Sequence, residues 1–214
     1  MADENSLRER LIDVGVHLVL TEGSASVGLR EIARRAGVSH GAPRRYFATH
    51  HALLSAVARR GFEDLAARFE TAVDPEAPPR AQLERLAKTY VGYALECRGM
   101  FELMFRHDLL DGAQQHDDGP QLRTSTLPLF ERMAALVGRC GEGPDAVHRP
   151  GPPGSSAVPP VVTAAALWSG LHGIAQLWTW GSLQLALATP SPGDEELDRL
   201  VTAVLDAHLG PVTA

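Results

Sequence analysis

The sequence is poor in cysteine, and its start does not suggest a signal peptide. Two cysteines in 214 residues, Cys97 and Cys140, are too few for the disulfide framework of a small secreted domain. The first residues do not follow the basic, apolar and small-residue order of a signal peptide. These two absences predict a protein of the reducing cytoplasm.

Motifs of common enzymes and metal sites are also missing. The sequence contains no phosphate-binding GxxxxGK[ST] loop, no GxGxxG, no HExxH and no CxxC pair. His107, His116, Asp117 and Asp118 could be imagined as metal ligands, but they lack metal-site spacing and fall in a polar stretch, 108–119, that we expect to be a loop. We therefore expect no catalytic residues, no metal and no cofactor.

The net charge of −6 is unevenly distributed along the chain. Residues 1–60 hold nine Arg and six Asp or Glu, which gives +3. The remainder holds 11 basic and 20 acidic residues, which gives −9. A basic head on an acidic body is compatible with a nucleic-acid partner despite the negative total.

Strand-like alternation and internal repeats are absent, and nearly every periodic segment has helical spacing. Leu7, Leu11, Val14 and Leu18 mark the buried face of a first helix, which Gly23 can end. The sequence thus predicts an all-α fold. Further helices are expected at 29–36, at 40–47 with Ser39 as its cap, from a Thr49 cap to the break at 74–79, through Leu83 to Cys97, at 100–107, at 121–137 with a kink at Pro128, and at 161–187 and 194–209.

Two stretches of the second half have an unusual composition. Residues 140–160 contain four Gly, six Pro and two Ser, a composition that predicts a flexible loop. Residues 161–187 carry no Asp, Glu, Lys or Arg, so a membrane span must be considered. Polar residues interrupt the stretch and no basic flank follows it, which favours a helix buried in a bundle and no membrane partner.

Two short helices joined by Gly37-Val38-Ser39 have the spacing of a helix-turn-helix. The second helix would enter the major groove of double-stranded DNA, with small residues at its start allowing close approach. On spacing alone, an ordinary helical hairpin with a solvated arginine face is an alternative. The positions expected at DNA are Arg30, Ser39, His40, Gly41, Ala42, Arg44, Arg45, Tyr46, Thr49 and His50.

The stretch LREIARRAGVS at 29–39, continued by 41–43 and Phe47, resembles the DNA-binding domain of TetR-family repressors. The resemblance covers about residues 7–62. It implies a helix-turn-helix head at 1–62, a helical effector-binding and dimerisation domain at 63–214, and a homodimer on a palindromic operator.

Three positions depart from the usual pattern of that family. Gly28 stands where a Ser or Thr cap is usual, Arg44 where a phosphate-anchoring Tyr is common, and His50 where Lys is usual. Because histidine changes charge near neutral pH, His50 suggests stronger DNA binding at mildly acidic pH. Arg44 and Tyr46 are the alternative phosphate contacts.

The words LWSGLHG at 167–173, with Tyr93-Ala-Leu and Met100 to Phe105, resemble a TetR C-terminal subgroup that has a Trp-His-Gly signature. That resemblance implies a four-helix dimer interface, here formed by 161–187 and 194–209 of each subunit. It also implies an effector pocket inside the C-terminal bundle. Candidate effector contacts are Tyr90, Tyr93, Phe101, Met104, Phe105, Phe130, Met133, Trp168 and His172, although core packing is the simpler reading of each aromatic or Met.

The expected function is a DNA-binding transcriptional regulator, specifically a repressor released by a small hydrophobic effector. One alternative is a TetR-like regulator without an inducer pocket. Another is an all-helical enzyme that uses His172 as an acid or base, because a polar ring on an apolar helix needs a partner.

Overall fold

The computed structural model describes residues 2–24, 27–106, 122–141, 158–188 and 194–211. Every regular element within these ranges is helical, which confirms the all-α prediction. In chain order the elements are α1 (Ala2–Glu22), α2 (Leu29–Arg35), a 3-10 helix (Ala42–Arg45), α3 (His50–Ala72), α4 (Pro79–Glu96), α5 (Arg98–Met104), α6 (Leu122–Cys140), α7 (Pro160–Thr179), α8 (Ser182–Ala186) and α9 (Asp194–Leu209).

Backbone contacts divide the chain into two compact units. The first unit comprises the described parts of Met1–Leu65 and Glu96–Thr126, and the second those of Ala66–Leu95 and Leu127–Ala214. The first unit therefore contains α1, α2, the 3-10 helix and α5, and the second contains α7, α8 and α9. The predicted boundary at residue 62 falls within α3 and stays a prediction.

The core of the first unit forms where α1 crosses α2 and α3. Leu11 and Leu18 of α1 are fully buried, as their spacing predicts. Gly15 lies on the same face, and a Cβ built there would be 2.6 Å from Cγ2 of Val57. Glycine therefore permits this close approach of α1 to α3.

The second unit packs α7 against α9. Leu167 and Leu205 are fully buried, and a Cβ at Gly170 would lie 2.9 Å from Cγ1 of Val204. An ion pair between Arg80 of α4 and Asp206 of α9 ties a further helix to this packing. This burial is consistent with the absence of charged residues from 161–187, as expected for a helix packed in a bundle.

Two predicted helices differ from those observed. The 161–187 segment is broken into α7 and α8 because Gly181 adopts a left-handed conformation, with φ of 78°. The helix predicted at 100–107 begins and ends earlier, as α5. The α6 helix runs to Cys140 with Pro128 inside it, and α9 matches its predicted range.

The two predicted loops lie mostly outside the described residues: all of 108–119, and 140–160 apart from its ends. Within the described ranges, no helix is both long and apolar enough to cross a membrane.

Candidate functional site

Residues 29–47 form a helix, a tight turn and a short second helix. Gly37 makes the turn with φ of 69°, and the Val38 amide donates to the Ala33 carbonyl at 3.0 Å. Ile32 and Phe47 are buried beneath the two elements. The predicted helix-turn-helix is therefore present, with its polar residues outward.

The second element is shorter than the helix predicted at 40–47. It is a 3-10 helix at Ala42–Arg45, flanked by turn residues and capped by Gly41 rather than by Ser39. Pro43 has no N–H to donate and biases the preceding residue away from α geometry. The Ala42 amide therefore bonds to Ser39 O at 2.9 Å, and the Tyr46 amide to Pro43 O at 3.0 Å.

The arginines of this region divide into two groups. Arg34 and Arg35 hold the Glu31 carboxylate at 2.6 and 2.7 Å, and Arg35 also pairs with Glu22. Hydrogen bonds from Arg34 and Arg35 lower the pKa of Glu31 to about 2, so the carboxylate stays charged. These two arginines brace the first helix of the motif.

The second group remains available to a partner. Arg30, Arg44 and Arg45 are exposed and form no ion pair with any residue that the structure describes. A cleft of about 640 Å³ runs along this surface. Its lining is Gly28, Leu29, Arg30, His40, Gly41, Arg44 and His50.

Five of the residues predicted at DNA thus share one cleft, whose lining includes no acidic side chain. The other five do not line the cleft: Ser39, Ala42, Arg45 and Tyr46 lie in the same motif, and Thr49 caps α3. Gly28 and Leu29 were missed by the sequence analysis. Their position directly before Arg30, a predicted DNA contact, is the signal in the sequence that could have identified them.

The start of α3 is fixed by two side chains. Thr49 Oγ1 accepts the Ala52 N–H at 3.0 Å, which confirms the predicted cap. His50 Nε2 lies 2.6 Å from the carbonyl oxygen of Val27, in the segment before α2. The imidazole therefore bonds to the protein backbone at the cleft wall.

Two arginines of α1 also contact the motif. Arg10 Nη2 donates to the Ala36 carbonyl at 2.9 Å, at the end of α2. The Arg8 guanidinium lies over the Phe47 ring at 5.4 Å. Their roles were not predicted, because contacts between distant parts of the sequence leave no local pattern.

A polar cluster lies in the second unit, between α4 and α7. The Tyr90 hydroxyl is 2.8 Å from His172 Nδ1 and accepts the Trp168 Nε1–H at 3.0 Å. Burial lowers the pKa of His172 and raises that of Tyr90, which favours the uncharged form of both rings. With the indole donating, the Tyr90 hydroxyl can donate its own proton to Nδ1.

The other predicted effector contacts separate into two groups. Phe130 joins the cluster edge-on to Trp168, with ring centroids 6.5 Å apart. Tyr93 is buried, and the Arg68 guanidinium carbon lies 4.9 Å from the centroid of its ring. Met133 is half-buried on α6. Phe101, Met104 and Phe105 belong to the first unit, where the Phe105 ring lies tilted against Phe101 and packs edge-on against Phe62.

Side chains suited to a metal do not gather in the part of the chain that the structure describes: no group of three or more His, Cys, Asp or Glu occurs there. His107, His116, Asp117 and Asp118 lie outside the described residues.

Comparisons with known proteins match both halves of the chain. A family model described as bacterial regulatory proteins, tetR family, matches residues 11–57. A second, described as tetracyclin repressor-like, C-terminal domain, matches residues 83–204. Together the two matches cover the helix-turn-helix and most of the second unit.

Individual relatives agree with these models. An uncharacterized HTH-type transcriptional regulator in the dhlA 5' region of Xanthobacter autotrophicus is 31% identical over 104 residues. That match spans 45% of this chain and about half the length of the relative, 49%.

Two solved structures show the same fold over nearly the whole chain. A protein with unknown function from Rhodococcus sp. RHA1 is 28% identical, with a TM-score of 0.69, over 95% of this chain and 93% of that one. The regulator FadR from Bacillus subtilis, solved in complex with stearoyl-CoA, is 11% identical with a TM-score of 0.59, over 96% and 99% of the two chains.

Proposed function

The chain belongs to the TetR family of bacterial regulatory proteins, and from that premise we propose that it is a repressor released from its operator by a small hydrophobic effector. As a member of this family it is a DNA-binding transcriptional regulator. The family fold and domains indicate a transcription factor rather than an enzyme. Because DNA is its partner, we place its action in the cytoplasm.

One observation carries the assignment of the DNA-binding surface. Arg34 and Arg35 are neutralised by acidic neighbours, whereas Arg30, Arg44 and Arg45 are exposed and bear no ion pair to described residues. Arginines whose charge is not already paired are free to neutralise phosphates, and each neutralised phosphate releases condensed counterions from the DNA. The proposed DNA-contacting surface is therefore the cleft and the adjoining 3-10 helix.

We propose that residues 1–62 act as the reading head and 63–214 as the sensing and pairing domain. The 3-10 helix enters the major groove, where Arg44 and Arg45 reach base edges or phosphates. In a homodimer, two such heads would contact half-sites about one helical turn apart, roughly 34–36 Å.

The proposed dimer interface uses α7, α8 and α9. Along α7, Val162, Ala166, Ser169, Gly173 and Leu177 recur at steps of four or three, and all are exposed except the half-exposed Gly173. This spacing lets one helix lie along another. Beyond it, Trp180 is 70% exposed and Leu185 is 85% exposed, which is costly for large apolar side chains without a partner.

The proposed effector site adjoins the Tyr90–Trp168–His172 cluster. Uncharged polar groups among aromatic rings suit a mostly apolar ligand that is oriented by one polar group. FadR, which shares the fold, is described in complex with stearoyl-CoA, an amphipathic ligand with a long apolar chain.

Release requires the effector to bind one arrangement of the dimer better than the other. Weakening DNA binding about 100-fold needs roughly 2.7 kcal/mol of coupling. A second candidate is a regulator without an inducer. It is favoured by the mutual hydrogen bonds of Tyr90, Trp168 and His172, which are equally suited to a purely structural role.

Selection of bound duplexes from a random pool by the full-length protein tests the regulator, and an effector screen on the selected duplex tests release. We expect the selected site to be palindromic, and we expect apolar acids or thioesters to release the protein from it. If a site is selected but no apolar ligand releases the protein from it, the second candidate is favoured. If no sequence is enriched, the operator proposal is contradicted.

A further inference from the structure

The His50 ring lies between the starts of α2 and α3. Its Nε2 is 2.6 Å from the Val27 carbonyl oxygen. Because a carbonyl oxygen only accepts, Nε2 must carry a proton and donate it. Val27 is 2% exposed and directly precedes Gly28, the N-cap of α2.

This bond joins two walls of the basic cleft. One wall continues from Val27 through Gly28 and Leu29 to Arg30, and the other begins at His50 itself. The Gly28 carbonyl then accepts the Ile32 amide at 3.0 Å, so the anchored segment leads directly into α2. A shift of Val27 would therefore move Arg30 relative to the rest of the cleft.

We propose that His50 is a positioning residue for DNA binding, which holds the Arg30 wall by donating to Val27, rather than a phosphate ligand. This inference rests on the proposed DNA-binding role of the cleft. The anchoring hydrogen bond does not require a charged ring, whereas a phosphate contact would strengthen at acidic pH.

The donor chemistry explains why the hydrogen bond needs no ring charge. Nε2 carries a proton in this neutral tautomer and also in the charged ring, so the bond to Val27 persists in both states. The charged or titratable side chains around His50 are Arg30, His40 and Arg44, which line the same cleft, and His51 on α3, whose ring centroid is 6.5 Å away. None of these side chains is acidic, so protonating His50 creates no new ion pair with them.

The first test uses the free full-length protein and needs no DNA. Ring nitrogen chemical shifts report which nitrogen of His50 is protonated at pH 8, and amide hydrogen exchange of Ile32 reports the order of the anchored segment. We expect the Nε2–H tautomer, faster Ile32 exchange in His50→Ala, and recovery in His50→Gln, whose amide can donate from a similar position. A proton on Nδ1, or unchanged exchange in His50→Ala, would overturn the proposal.

The second test measures affinity for the selected duplex, or for a random-sequence duplex at low salt, at pH 6 and pH 8. Loss of one hydrogen bond predicts about three- to tenfold weaker binding for His50→Ala at both pH values. The slope of log affinity against log salt should not change, and His50→Gln should recover most of the loss. His51→Ala, which removes the neighbouring imidazole, should bind as the wild type does.

A phosphate ligand would behave differently. The loss in His50→Ala would then grow from pH 8 to pH 6, and the salt slope would fall by about one at pH 6. That result, or failure of His50→Gln to recover affinity, would contradict the positioning role. If the wild-type protein bound no duplex, the proposed function would fail, while the ring tautomer and Ile32 exchange would still decide whether His50 anchors Val27.

Discussion

Tyr90 and His172, 82 positions apart in the chain, are joined by a 2.8 Å hydrogen bond between the phenol oxygen and Nδ1. Trp168 donates to the same phenol oxygen, so one hydroxyl links α4 to two positions of α7. Buried polar groups in such a cluster are stabilising only while each retains its partner. The cluster therefore offers a direct test of how the second unit is held together.

Replacing Tyr90 with Phe should destabilise the second unit by about 1–3 kcal/mol, because the Trp168 N–H and His172 Nδ1 both lose this partner. All three tryptophans, Trp168, Trp178 and Trp180, lie in that unit, so urea unfolding followed by tryptophan fluorescence reports on it. Tyr46→Phe removes a hydroxyl from the first unit and serves as the control. Equal stability of wild type and Tyr90→Phe would refute the role of the hydroxyl.

The stability of the second unit should also fall in acid. Burial lowers the pKa of His172 below its unfolded value of 6.5, so the unfolded chain binds the proton more readily. The stability contributed by the neutral ring is then complete above pH 6.5 and is lost as the pH falls through the lower folded pKa. His172→Gln should show a smaller drop in urea midpoint between pH 8 and pH 5 than the wild type. Parallel pH profiles for the two proteins would count against this assignment.

Glu31 restrains positive charge next to the proposed DNA surface. Its carboxylate accepts from both Arg34 and Arg35, so Glu31→Gln should free the Arg34 guanidinium and leave Arg35 paired with Glu22 alone. We expect severalfold tighter non-specific DNA binding and a steeper salt dependence, since more phosphates can be neutralised. The control is Glu102→Gln on α5, which removes an acid that pairs with Arg106. Equal gains from both variants would show that only net charge matters.

If the exposed residues of α7 from Val162 to Leu177 form the dimer interface, a charge introduced among them should weaken the dimer. Ala166→Arg should prevent close helix approach and yield a particle of the 23.0 kDa chain mass, whereas the wild type should sediment at twice that mass. Ala67→Arg, at an exposed alanine of α3, is the matched control. This substitution is cleaner than deleting α9, because that helix buries Val201 and Leu205. A dimeric Ala166→Arg protein would place the interface elsewhere.

Local signals in the sequence predicted the elements well. Gly37 at the turn, the Thr49 cap and the Asp194–Leu209 helix each depend on neighbouring residues, and the structure confirms them. The 3-10 geometry at Ala42–Arg45 was missed because the polar pattern suits either kind of helix. Pro43 removes a backbone donor within that turn.

Contacts between residues far apart in the sequence were harder to predict. The aromatic and histidine positions of α4 and α7 could be listed from their spacing, but the pairing of Tyr90 with His172 depends on how two distant helices meet. The anchoring of Val27 by His50 has no sequence signal, because a backbone acceptor leaves no trace in residue identity. The sequence therefore indicates which helices carry the candidate residues better than it indicates the hydrogen bonds between them.

The most direct test of the DNA-binding surface compares three exposed arginines. Affinity for the selected duplex should be measured for the wild type, Arg44→Ala, Arg45→Ala and Arg85→Ala at several salt concentrations. Arg85, on α4 in the second unit, controls for the loss of one charge. We predict losses of about 1–3 kcal/mol for an arginine that reads a base edge, and no change for Arg85→Ala. Wild-type affinity in both Arg44→Ala and Arg45→Ala would contradict the assignment of residues 29–47 to the DNA.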